Sequence, residues 1–119
     1  MKRDHQIFVK DIIAAIKAIE QFVEGLSLSE FKDDDRTSSA VIRKFEIIGE
    51  AAKHIPESVK GTYPDVPWKR MAGMRDRLIH GYFGIDYQLV WDAIQLELPE
   101  LKPRLKKILT ELQKSNSQP

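Results

Sequence analysis

The stretch Trp68-Lys69-Arg70-Met71-Ala72-Gly73-Met74-Arg75-Asp76-Arg77-Leu78-Ile79-His80-Gly81-Tyr82 departs in composition from the rest of the chain. Lys69, Arg70, Arg75 and Arg77 set against Asp76 give four positive charges and one negative, or +3, within a chain whose formal total is +1. On charge alone, a local anion site and a solvated basic helix face are both open. His80 adds a titrating group. A histidine closing a basic helix beside Gly81 can satisfy the last carbonyls as a cap, or it can transfer protons near neutral pH. With Arg75 it makes up the two functions that RNA cleavage needs. A base takes the 2′-hydroxyl proton, and a fixed cation stabilises charge building on the phosphoryl oxygens. Arginine suits the second task because its planar fork stays charged and binds phosphate oxygens bidentately.

Geometry restricts this pairing. Five residues along an ideal helix rotate by about 140° and rise by about 7.5 Å, so Arg75 and His80 do not share a face automatically. A distortion near Gly81, the reach of the arginine or a second subunit has to bring them together. One histidine also cannot serve at once as base and as leaving-group acid. A two-fold dimer with two copies of His80 in one cleft would supply both. Tyr82 reads either as a half-buried aromatic with its hydroxyl on the surface or as a functional neighbour of His80. Phe83, Tyr87 and Trp91 read as core or interface residues, and His5 and His54 as surface or boundary histidines. Gly-rich phosphate loops, nucleophile elbows and familiar metal-ligand spacings are absent, so neither a metal nor a cofactor is expected.

The elements that must position these residues are helical. Phe8, Ile12, Ile16, Ile19 and Val23 recur at three- and four-residue steps and predict an amphipathic helix over Gln6–Val23, stopped by Gly25. Ser27-Leu28-Ser29-Glu30 has capping-box spacing and starts a short second piece. Asp33-Asp34-Asp35 reads as a polar break and helix start, with no metal inferred. Val41, Ile42, Phe45, Ile48 and Ala52 stripe a long helix from about Thr37 to His54, which Pro56 ends. Residues 56–67 form a connection with one helical turn. Pro67 suits the start of a helix from Trp68 to about His80, ended by Gly81 and the Gly84 turn. Asp86 caps a last helix from Tyr87, which Pro99 and Pro103 must kink or restart. Gly49 inside a helix costs about 1 kcal/mol relative to Ala. It therefore suggests close helix approach, across a dimer or against the motif helix, with Glu50 meeting a basic motif residue. No segment alternates at period two, so the expected fold is an all-α bundle of four to five helices.

The 119 residues fit one domain, read as 1–114 with a frayed polar tail at 115–119. With 19 Lys+Arg against 18 Asp+Glu, the whole molecule lacks the strong positive charge of a non-specific nucleic-acid binder, so any RNA site must be local. The absence of cysteine removes disulfides, thiolate zinc sites and Cys nucleophiles. The longest aliphatic run, Ile12 to Ile16, is far short of a bilayer span, and Met1 to His5 lack secretion-signal character. A cytoplasmic protein with no membrane association is expected.

Arg75, four residues, His80, one residue, Tyr82, within Gly73 to Asp86, resembles the signature of HepT-like HEPN proteins. The resemblance extends over Asp11-Ile12, Ala40 to Arg43, Ile47 to Lys53, Tyr63-Pro64, Pro67-Trp68 and Asp86 to Pro99, nearly the whole chain. It implies a HEPN-type antiparallel helical bundle that forms a homodimer, with two Arg–His motifs facing one cleft at the two-fold, and metal-independent endoribonuclease activity on RNA. Arg75 and His80 are then catalytic, and Asp76, where many relatives have Asn, supports the site with Arg77. The chain is similar to toxins of toxin–antitoxin pairs encoded beside a small MNT-type nucleotidyltransferase, the antitoxin, which adds AMP to the motif tyrosine. By position that residue is Tyr82, where an adenylyl group would fill the cleft and put phosphate charge beside Arg75. A different reading makes the chain a non-catalytic HEPN subunit, the substrate-binding or scaffolding partner of a nucleotidyltransferase. A plain helical dimer with a basic face is a third.

Overall fold

A computed structural model describes residues 2–79 and 84–117, with side chains from His5 to Lys114. These residues form eight α-helices and one π-helical turn, and no strand is present among them. The expectation of an all-α fold is met. The higher number of pieces arises where two expected helices are each divided.

Three long helices carry the bundle. Helix α1 (Lys2–Val23) packs along α3 (Asp35–His54) and against α8 (Leu98–Ser117). Their apolar stripes meet in one core, in which Ile12, Ile16, Ile19, Phe45, Ile48, Leu105 and Ile108 are almost wholly shielded from solvent. Gly25 ends α1 with φ +78°, a conformation that suits glycine. Helix α2 (Leu28–Asp33) starts on the expected capping box: Ser27 Oγ accepts from the Glu30 amide, and the Ser27 amide donates to Glu30 Oε1. The acidic run is a one-residue break. Asp34 caps α3 by accepting from the Thr37 amide, and Asp35 is already helical.

The connection after Pro56 holds helix α4 (Glu57–Thr62) and is tied down by Tyr63, whose hydroxyl donates to Glu111 on α8. Burial, then the bond to Glu111 and its charge, push the Tyr63 hydroxyl up to about 12. Trp68 Nε1 donates to the Tyr63 carbonyl at 3.0 Å and opens the next helix.

One expectation needs correction here. The single helix from Trp68 to about His80 is two short ones, α5 (Trp68–Ala72) and α6 (Met74–Leu78), broken at Gly73. Both lie against α3, and glycine, a weak helix former, is where the axis changes. The last helix runs from α7 (Tyr87–Asp92), capped by Asp86, through a π turn at Ala93–Glu97 into α8. In that turn the Leu98 amide reaches back five residues to the Ala93 carbonyl. The ladder is thereby loosened just ahead of Pro99, whose ring would otherwise press on the carbonyl four residues earlier. Pro103 stays inside α8, and helical backbone extends into the polar tail as far as Ser117. Tyr87 and Trp91 pack on Phe31 of α2, at ring separations of 6.2 and 5.4 Å, as core-flanking residues. His54 is exposed and stacks on Phe8. No helix among the described residues is long and apolar enough to cross a membrane.

Candidate active site

Helix α3 is the platform for the basic motif. A Cβ built on Gly49 would lie 3.3 Å from the carbonyl oxygens of both Met71 and Ala72. The glycine therefore lets the C-terminal end of α5 approach α3 closely, which answers the question its presence raises: the approach is against the motif helix. From there α6 projects Arg75 back over α3. Arg75 Nε donates to Glu46 Oε2 at 3.3 Å, and Nη1 lies 3.6 Å from Asp76 Oδ1. The Arg75 side chain is 55% exposed and Asp76 88% exposed, whereas Glu46 is held to 33%. Arg75, Asp76, Arg43, Glu46, Glu50 and Lys53 border a small cleft of about 90 Å³ between α3 and the motif helices. Among the described residues Glu50 does not meet a motif cation. It pairs with Lys53 on its own helix at 3.3 Å, and Glu46, one turn earlier on the same face, takes Arg75 instead.

Arg70 and Arg77 turn away from that cleft. Arg70 Nε donates to Glu97 Oε1 at 3.0 Å, and Arg77 Nη2 lies 3.2 Å from both Glu97 oxygens. Burial pushes the Glu97 carboxyl up, but the Arg70 hydrogen bond and the charge and hydrogen bond of Arg77 outweigh it, so its pKa falls below the ordinary carboxylate value. The same hydrogen bond raises the pKa of Arg70. Arg77 Nε and Nη1 are buried and have no hydrogen-bond partner among the described residues. The three arginines of the motif are thus divided: Arg75 faces α3, while Arg70 and Arg77 converge on a carboxylate delivered by the π turn.

His80, Gly81, Tyr82 and Phe83 lie outside the described residues. The backbone on either side of them is paired. Ile79 bridges Ile85 in antiparallel fashion, and the Asp86 amide donates to the Leu78 carbonyl at 2.9 Å. Helix α6 ends at Leu78, and Ile79 after it is extended. Among the described residues, no three acidic, histidine or cysteine side chains converge as a metal site would require.

The family model described as "Ribonuclease HepT-like" matches residues 12–108, which include the cleft, the motif and its tyrosine. The chain belongs to the HepT-like family. It is 44% identical to a Thermococcus cleftensis protein described as "Probable ribonuclease HepT", over 91% of this chain and 98% of that one. A Methanocaldococcus jannaschii protein described as "Putative RNase" is 43% identical, over 94% of this chain and 97% of its own. A Caldanaerobacter subterraneus protein with the same description is 40% identical, over 86% and 91%. No solved structure gives a significant match.

Two residues of this HepT-like chain escape a reading by motif, Glu46 and Glu97. Glu46 carried a usable signal, since it stands four residues before Glu50 and so shares its helix face. Glu97 carried none, because it faces the motif only after the π turn has shifted the helical register.

Proposed function

We propose that the chain is a metal-independent endoribonuclease whose catalytic pair is Arg75 and His80. His80 takes the proton of a ribose 2′-hydroxyl as its oxygen attacks the adjacent phosphorus. The bond to the 5′-oxygen breaks, and that oxygen leaves with a proton from a general acid. Arg75 stabilises the negative charge on the non-bridging oxygens. In a homodimer with both motifs in one cleft, the second His80 is the acid. Asp76 and Arg77 support the site, Arg77 by tying α6 to the π turn through Glu97. In the same reading the protein is the toxin of a toxin–antitoxin pair, and an MNT-type nucleotidyltransferase silences it by adding AMP to Tyr82.

The observation that carries this reading is Arg75. Of the three motif arginines it alone borders the cleft against α3 and pairs there with Glu46, and its side chain, like that of Arg70, is more than half open to solvent. Family membership across residues 12–108 and the descriptions of the relatives add to it. A solvated basic face accounts less well for the motif, because its cations diverge.

The test is cleavage of total RNA in excess EDTA by wild type and His80→Ala, after intact mass shows no AMP on Tyr82. Cleavage by wild type alone is expected, with the helical circular dichroism of the variant unchanged. If unmodified wild type leaves RNA intact, the scaffolding subunit becomes the better reading.

A further inference from the structure

Resting on that nuclease reading, we propose that Glu46 is a positioning residue for Arg75: it holds the Nε side of the guanidinium and leaves the Nη edge to meet the phosphate. A guanidinium offers two donor edges, Nε with Nη2 and Nη1 with Nη2, and bidentate phosphate binding uses one of them. Glu46 Oε2 accepts from Nε at 3.3 Å and so occupies the first edge. Among the described residues one other carboxylate pairs with Arg75, that of Asp76, which is 3.6 Å from Nη1 and almost fully exposed, so it can swing aside as RNA approaches.

Glu46 cannot move so freely. It belongs to the interior of α3, and its neighbour Phe45 is anchored in the core. Three residues on, Gly49 brings the end of α5 against α3, which fixes the distance over which Arg75 must reach. Arginine's long side chain has many rotamers, and an active site gains from having them restricted before substrate arrives. An exposed ion pair adds little to stability, so the contact is better explained by orientation than by folding. A carboxylate beside a phosphate site also weakens anion binding. The role therefore makes an unusual kinetic demand, that loss of Glu46 slows turnover without weakening RNA binding.

Glu46→Ala and Glu46→Gln are compared with wild type in RNA cleavage, thermal unfolding and the NMR signal of the Arg75 Nε–Hε group, assigned by its absence from Arg75→Lys. For Glu46→Ala we expect kcat to fall about 10- to 100-fold, KM to be no higher than in wild type, Tm to be unchanged, and the Hε signal to exchange faster. Glu46→Gln keeps an acceptor oxygen and should recover part of kcat. Unchanged kcat in Glu46→Ala, or an unchanged Hε signal, overturns the positioning role alone. A joint loss of kcat and Tm overturns it in favour of a structural contact. If wild-type RNA cleavage is absent while the Hε signal responds to Glu46, the nuclease reading fails, and the pair is a surface contact with no catalytic part.

Discussion

Arg70, Arg75 and Arg77 look alike in composition, but their carboxylate partners separate them. Glu97 takes Arg70 and Arg77 and Glu46 takes Arg75; the Arg70 and Arg75 side chains stay more than half exposed, while that of Arg77 is largely shielded. The Glu97 pairing has a pH signature. Its carboxyl titrates below the ordinary glutamate value of 4.5 when folded, so the unfolded chain binds its proton first as pH falls. The stabilisation is therefore complete above that ordinary value and is lost as pH drops through the lowered folded value. Urea unfolding of wild type and Glu97→Gln should show the variant less stable at pH 7, with the gap closing below about pH 4.5. A gap that does not narrow as the pH falls below the ordinary glutamate value and through the lowered folded one would mean that packing around residue 97, and not its charge, holds the two arginines.

At the scale of elements, the approach of α5 to α3 is the contact on which the cleft depends. Alanine at 49 would gain about 1 kcal/mol in helix propensity but press on two carbonyls, so Gly49→Ala should stay within about 1 kcal/mol of wild type. Valine brings branched methyls into the same gap, and Gly49→Val should lose about 1–3 kcal/mol. Equal urea midpoints for the two variants would show that α5 can retreat freely. Capping signals at this scale were legible in the sequence because they are local: Ser27 with Glu30, Asp34 and Asp86 each act within three residues. The break at Gly73 and the π turn were not. Periodicity still reads as helix across both, while the choice between one helix and two is made by packing on α3 and by the Pro99 ring.

The whole molecule is elongated, at 52 × 28 × 21 Å, with a radius of gyration of 15.1 Å. A compact chain of this length would have a radius of about 13.5 Å. Ile7, Phe22, Leu89 and Leu96 remain exposed on its surface. The proposed chemistry needs two histidines in one cleft and therefore two chains. Sedimentation equilibrium should give twice the 13.7 kDa chain mass at concentrations where RNA is cleaved, and specific activity should fall on dilution below the dissociation constant. A monomer with undiminished activity would require the acid to come from elsewhere in the same chain.

By itself the sequence determined what short-range physics controls. The apolar stripes of α1, α3 and α8 follow from a period of 3.6, their ends from caps within one turn, and the motif from residue types a few positions apart. Glycine at 49 announced a close approach because a helix rarely carries glycine without reason. Only the tertiary structure decided which carboxylate meets which arginine, since Glu46 is 29 residues from Arg75, and Glu97 is 27 from Arg70 and 20 from Arg77. Helical periodicity says which face a charge occupies. Which opposite charge that face meets depends on how helices cross, and that is settled by the packing of side chains distant in the chain.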